Sequence, residues 1–115
     1  MYKHNEIGHI HFEPTQRCQA LCPMCDRTSN PHIKNAEITN EQFKQIIDSD
    51  FAKQLNSFLM CGNHGDPMIA KDVLDMYRWL RNNNSKLYLH MTTNAGGRNA
   101  EWWRELAYIL VNEDG

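Results

Sequence analysis

Three cysteines, Cys18, Cys22 and Cys25, lie within the eight-residue segment CQALCPMC, and a fourth, Cys61, lies far along the chain. Closely spaced cysteine thiolates are the usual ligands of iron–sulfur clusters, which normally take four thiolates for a cubane. Three ligands on one loop would leave one iron open to a substrate or a cofactor. The spacing therefore favours a cluster with one free coordination position.

Two other chemistries fit the same cysteines. A zinc ion could take the three thiolates and one of the six histidines, although structural zinc sites usually show a second paired Cys or His unit. Alternatively, Cys22 and Cys25 could form a redox dithiol, which leaves Cys18 without a role. We expect the distant Cys61 to be buried and to pack as a small apolar side chain. The cysteines alone thus leave three kinds of site open.

The composition describes an ordinary small domain. The chain has 115 residues, of which 41% are hydrophobic and 23% charged, and a formal net charge of −2. With Lys and Arg scattered, this argues against a nucleic-acid or anionic membrane partner. The longest apolar run, LAYILV, is too short to cross a bilayer, and the N-terminus lacks the apolar region of a secretory signal. We therefore expect a cytoplasmic protein, in which close cysteines are more often metal ligands or redox groups than disulfides.

Strands and helices are predicted to alternate along the chain. The alternating or short apolar segments EIGHIHFEP, LNSFLMCG and SKLYLHMTTN predict strands, and TNEQFKQIIDSD, IAKDVLDMYRWLRNNN and AEWWRELAYILV predict helices. Thr39 and Gln42 form a capping-box pattern at the first helix, and Asn99 is the expected cap of the third. The segment from about residue 15 to residue 38 is predicted to be a loop. This order implies parallel strands.

The same patterns assign faces to these elements. On the first strand, Ile10 and Phe12 form the apolar face, whereas His9, His11 and Glu13 share the opposite face. Of the adjacent pair Trp102 and Trp103, one is expected in the core and the other half exposed, because neighbours cannot share one helix face. The other predicted core positions are Phe43, Ile46, Ile47, Val73, Leu74, Tyr77, Leu80, Leu87, Leu89 and Met91.

Unusual polar segments follow all three predicted strands. The cysteines come after the first strand, GNHGDP after the second and TTNAGG after the third. In parallel α/β sheets, ligands bind beyond the carboxyl ends of the strands. The sequence therefore predicts one site at this edge of the sheet.

Three motifs in this order resemble the radical S-adenosylmethionine (radical SAM) superfamily. FEPTQRCQALCPMC resembles its Cys-x3-Cys-x2-Cys loop, GNHGDPMIAKDVLDMYRWL its second-strand motif with Gly-Glu-Pro, and MTTNAGG its Thr-Asn-Gly motif. Within the superfamily, the chain resembles the subgroup of molybdenum-cofactor biosynthesis enzymes and peptide-modifying maturases. The resemblance extends from about residue 7 to residue 110.

The resemblance implies that Cys18, Cys22 and Cys25 ligate three irons of a [4Fe-4S] cluster, and that SAM chelates the fourth through its amino and carboxylate groups. It also implies reductive cleavage of SAM to a 5′-deoxyadenosyl radical, which abstracts hydrogen from an unidentified peptide or small molecule. The electrons would come from a flavodoxin- or ferredoxin-like donor. In the second-strand motif, the segment 65–67 would receive the SAM amino group. The implied SAM-binding residues are Met24, Gly62, Gly65, Asp66, Pro67, Thr93 and Asn94.

The chain departs from the superfamily pattern in sequence and in length. Asp66 replaces the usual Glu, and Ala95 is inserted before the glycine of the third motif. We expect an α/β fold of three βα units, resembling half of a partial (β/α)6 TIM-like barrel. Residues 1–115 would then be the N-terminal part of a radical SAM core domain, truncated or a fragment, that by itself cleaves little SAM. The alternative function is a zinc-binding interaction module.

Overall fold

The computed structural model describes residues 4–16, 36–62 and 65–111 of the chain. Within these ranges, three strands form one sheet: β1 (His9–Phe12), β2 (Ser57–Met60) and β3 (Tyr88–Met91). They lie in the order β1-β2-β3, and both neighbouring pairs are parallel. The predicted parallel sheet is therefore confirmed, with strands shorter than the apolar segments that predicted them.

In the described part of the chain, four α-helices connect and follow the strands: α1 (Asn40–Ile46), α2 (Ser49–Gln54), α3 (Val73–Asn83) and α4 (Ala100–Leu110). Two short 3₁₀ helices, His4–Glu6 and Pro67–Ile69, precede β1 and α3. Helices thus separate each strand from the next, as expected for three βα units. The predicted α/β fold class is confirmed. None of the described helices is long and apolar enough to cross a membrane.

The first predicted helix is two helices. Its start is as expected, because the Gln42 amide donates to Thr39 Oγ1 (3.2 Å) while Gln42 Oε1 accepts from the Thr39 amide (2.9 Å). The single long helix is wrong, because Asp48 takes an extended backbone and caps α2, its carboxylate accepting from the Phe51 amide at 2.9 Å. The predicted cap at Asn99 is confirmed by its 2.9 Å bond from the Trp102 amide.

The core lies between one face of the sheet and the helices. Three aromatic rings join β1, α1 and β2 there, with centroid distances from Phe43 of 5.2 Å to Phe12 and 5.7 Å to Phe58. Burial of one such ring stabilises the fold by about 2–3 kcal/mol. The predicted core is confirmed at Phe43, Ile47, Val73, Tyr77, Leu80, Leu87 and Leu89, and Leu74 and Met91 are partly buried against it.

Two expectations about the core are wrong. Ile46 is 55% exposed, because Phe43 and Ile47, four residues apart, occupy the inner side of the chain there. Trp102 and Trp103 are both partly buried, with ring centroids 4.8 Å apart. Both rings contact the turn after β3, since Trp103 Nε1 donates to the Gly97 carbonyl (3.0 Å) and the Arg98 guanidinium lies over the Trp102 ring.

Candidate functional site

A hydrogen-bonded stem closes the predicted cysteine loop at the carboxyl end of β1. The Gln16 amide donates to the Ala36 carbonyl (2.8 Å), and the Ile38 amide donates to the Pro14 carbonyl (3.0 Å). The Gln16 side chain adds a third link, because its Oε1 accepts from the Ala36 amide at 3.1 Å. The chain therefore leaves the sheet and returns to it at one point, with residues 17–35 between.

The predicted ligands on this loop lie outside the described residues. This holds for the three predicted cluster ligands and for one predicted SAM-binding residue, so their roles stay predictions: Cys18, Cys22, Cys25 and Met24. Among the residues that the structure describes, no group of three or more His, Cys, Asp or Glu side chains is arranged to hold a metal ion.

The turn after β2 packs directly against the stem. The Gly65 amide donates to Glu13 Oε1 at 3.1 Å. A Cβ at Gly65 would collide with the main-chain carbonyl of Thr15, and one at Gly62 would collide with the carbonyl of Gly65. Neither glycine has a positive φ, so both are required by close chain approach and not by an unusual backbone conformation.

The turn after β3 is joined to the turn after β2 through Asp66. Asp66 is only 5% exposed. It accepts from Thr93 Oγ1 at 2.6 Å and from the Asn94 amide at 2.8 Å. Pro67, also buried, begins the 3₁₀ helix beside it. The predicted SAM-binding residues after β2 lie in one turn, and those after β3 lie in another. These two turns contact each other.

Sequence reasoning missed Arg98 at this edge. Its guanidinium donates to the carbonyls of Met68 (Nε, 2.9 Å) and Ala70 (3.2 Å), just beyond Asp66 and Pro67 in the chain. Arg98 has φ 67° and Ala95 has φ 58°, a left-handed conformation that costs about 1–2 kcal/mol outside glycine. The glycine pair that precedes Arg98 in GGRN indicates a turn. An arginine directly after a turn is usually predicted to be solvated, so the sequence gives no sign of these bonds.

Cys61, directly after β2, is half-buried, which is less than the sequence predicts. Burial raises the pKa of its thiol, and the nearby Glu13 carboxylate raises this pKa further. The thiol is therefore neutral near pH 7. Because the thiolate is the form that binds metals and attacks electrophiles, this environment disfavours Cys61 as a ligand.

Cavity size does not mark the site. An open cavity of about 600 Å³ lies beside the stem, with Glu13, Gln16 and Gln42 in its lining. Another, of about 860 Å³, lies between α3 and α4, where it is lined by residues that include Arg104 and Tyr108. The second cavity adjoins the segment before β3 and none of the predicted cluster- or SAM-binding residues. The convergence of the three strand-end segments is the better guide.

Comparison with known proteins gives a distant match. No family model matches the chain. The chain is similar to a curated protein of Streptomyces rochei named PqqA peptide cyclase, with 29% identity over 96 residues. The match covers 84% of this chain and 25% of that protein, so the chain spans about a quarter of the length of the curated relative it matches.

Proposed function

We propose that the chain is the N-terminal part of a radical SAM core domain that binds a [4Fe-4S] cluster and SAM. One observation carries the proposal. The stem of the cysteine loop contacts the turn after β2 at Gly65, and that turn contacts the turn after β3 at Asp66. The three segments that resemble the superfamily motifs therefore meet at the carboxyl edge of the sheet, where α/β sheets bind ligands.

The residues have distinct tasks in this proposal. Three thiolates on one loop suit a cluster that keeps one iron for another ligand. A bound and reduced cluster would supply the electron that cleaves SAM to methionine and a 5′-deoxyadenosyl radical. The main-chain groups of the segment 65–67 receive the SAM amino group, and the glycines keep side chains out of that approach. The proposed ligands are Cys18, Cys22 and Cys25 for the cluster and Met24, Gly62, Gly65, Asp66, Pro67, Thr93 and Asn94 for SAM.

The similarity to a protein named as a peptide cyclase favours a peptide as the substrate. A flavodoxin- or ferredoxin-like protein would supply the electron. We place the protein in the cytoplasm, where thiols stay reduced and available to a cluster. The net charge of −2 gives no reason to include a nucleic acid among its partners.

Anaerobic reconstitution with iron and sulfide tests the proposal. The purified chain should bind about four irons and gain the broad brown absorbance of a cluster. Cys22→Ala should lose both signals, whereas the matched control Cys61→Ala should keep them. The proposal fails if the chain instead binds one zinc ion tightly and never assembles a cluster, a result that would establish the zinc-binding alternative.

A further inference from the structure

The Asp66 carboxylate accepts three hydrogen bonds from groups of the chain itself. Its Oδ1 accepts from the Met68 amide (3.0 Å) and from Thr93 Oγ1 (2.6 Å), and its Oδ2 accepts from the Asn94 amide (2.8 Å). A carboxylate offers about four acceptor positions, so three are taken by groups of the chain itself. A buried carboxylate with these three donors needs no further cation to compensate its desolvation.

The short side chain at this position matches these contacts. Asp66 reaches Thr93 Oγ1 at 2.6 Å while also capping the 3₁₀ helix that begins at Pro67. A glutamate would carry its carboxylate one methylene farther and could not keep both bonds without moving the turn. The aspartate that replaces the superfamily's usual glutamate is therefore explained by contacts within the chain.

Arg98 binds the same two turns together from the other side. Its guanidinium donates to the carbonyls of Met68, Ile69 and Ala70, the residues that directly follow Pro67. The turn after β3 thus supplies hydrogen-bond donors to both ends of the 3₁₀ segment. Arg98 keeps this position despite its φ of 67°, and such strain persists only where surrounding contacts enforce it.

We propose that Asp66 and Arg98 are positioning residues that lock the turns after β2 and β3 into one unit, and that the Asp66 carboxylate acts on SAM through Thr93 and Asn94 without contacting its amino group. This inference rests on the proposed function and deepens it. The amino group is then recognised by main-chain groups of the turn, while the Asp66 carboxylate fixes the geometry of those groups. Thr93 becomes as important to SAM affinity as Asp66.

Binding of two ligands to the reconstituted chain tests this inference. SAM and its analogue without the amino group are titrated into the unaltered chain, Asp66→Asn, Thr93→Val and the double variant. A positioning role predicts that each single variant weakens both ligands by about tenfold, and that the double variant is no worse than either single one. Thr93→Ser, which keeps the hydroxyl, should restore affinity.

Controls separate this inference from misfolding and from failure of the proposed function. Asp48→Asn removes another helix-capping carboxylate, distant from the two turns, and should leave SAM affinity unchanged. Amide hydrogen exchange at Asn94 should accelerate in Asp66→Asn and not in Asp48→Asn. Iron content and urea unfolding show that each variant is folded.

Three results would overturn the inference. If Asp66→Asn weakens SAM binding but leaves binding of the analogue unaffected, the carboxylate contacts the amino group directly. If Thr93→Val binds SAM normally, the bond between the two turns has no part in affinity. If the unaltered chain loads a cluster but binds neither ligand, the proposed function itself fails and this inference falls with it.

Discussion

An arginine joins separate segments at each end of the sheet, but the two arginines differ in the conformation of their own backbone. At the amino edge, Arg81 on α3 donates to the carbonyls of Ile109 and Leu110 at the end of α4 (both 2.9 Å) and of Leu87 before β3 (2.8 Å). At the carboxyl edge, Arg98 donates to the 3₁₀ segment from a turn. Both use the fork of a guanidinium to satisfy main-chain acceptors.

The difference between the edges lies in strain. Arg81 has ordinary helical backbone, and two of its acceptors are carbonyls at the end of α4, which have no partner within that helix. The two positive-φ residues other than glycine in the described chain, Ala95 and Arg98, both follow β3 at the carboxyl edge. The bonds of Arg81 at the amino edge thus require no strained backbone. At the carboxyl edge, the two turns are in contact and the backbone of the turn after β3 is strained. Strain of this kind concentrates where groups must be placed for function.

The largest effect is expected from Gly65→Ala at the carboxyl edge. The new methyl group would collide with the Thr15 carbonyl, a main-chain atom that cannot rotate away. We expect a loss of about 3 kcal/mol in the free energy of unfolding, measured by urea denaturation. The control is Gly97→Ala, whose nearest neighbour is the flexible end of Met68 at 3.3 Å. Equal losses in both variants would show that the turn and the stem are not packed as described.

Removing the two arginines compares the edges directly. Arg81→Ala leaves carbonyls of α4 and of the segment before β3 without a donor, and it should lower the free energy of unfolding by about 2 kcal/mol. Arg98→Ala, at an exposed position, should cost about 1 kcal/mol. Arg104→Ala on the exposed side of α4 is the control, with a change within about 0.5 kcal/mol. If Arg98→Ala lowers the free energy of unfolding more than Arg81→Ala does, the bonds at the carboxyl edge contribute more to stability than those at the amino edge, contrary to this expectation.

The pH dependence of stability tests the core between the two edges. The Tyr77 hydroxyl donates to the His90 carbonyl at 2.7 Å, and burial raises the pKa of Tyr77 far above its usual value. Below about pH 10 the phenol is neutral in both states. Above it only the unfolded chain releases the proton, so stability should fall by about 1.4 kcal/mol per pH unit.

Two variants isolate this tyrosine. Tyr77→Phe should be less stable by about 1 kcal/mol near pH 7 and should lose most of that alkaline slope, as followed by urea unfolding from pH 7 to 11. Tyr108→Phe changes a side chain that is 86% exposed, and it should keep the slope. The same slope in both variants would mean that Tyr77 is not the group responsible.

The smallest effect concerns the strain itself. Ala95 has φ 58°, and glycine adopts that conformation without steric cost. Ala95→Gly should therefore raise the free energy of unfolding by about 0.5 kcal/mol, since relief of strain exceeds the added entropy of the unfolded chain. Ser85→Gly, in the unstrained turn before β3, should lower stability slightly. If Ala95→Gly is as destabilising as the control, the strain at the carboxyl edge is not real.

Much of this architecture could be predicted from local sequence. The alternating apolar residues of β3 and the caps at Thr39 and Asn99 act over a few residues, so their patterns are legible without a structure. The split of the first helix was also encoded locally, in Asp48, but an aspartate within an apolar helical pattern is equally compatible with an exposed helix position. Local sequence patterns thus predict the presence of a helix or strand more reliably than the residues at which it begins and ends.

The contacts across the carboxyl edge could not be predicted in the same way. The sequence predicts that Asp66 and Thr93, 27 positions apart, belong to one site. Nothing in either motif indicates that their side chains bond to each other. Arg98 looks like a solvated arginine until its three carbonyl acceptors are seen. Motifs name the residues of a site, whereas the bonds that hold them depend on how the turns pack.

The most direct test of the account is whether SAM binds the cluster itself. The reconstituted chain is reduced with dithionite, and its electron paramagnetic resonance spectrum is recorded with and without SAM. A cluster held by three cysteines, with SAM on the fourth iron, predicts a clear shift of the signal at saturating SAM. A reduced cluster whose spectrum stays the same at every SAM concentration would contradict the account.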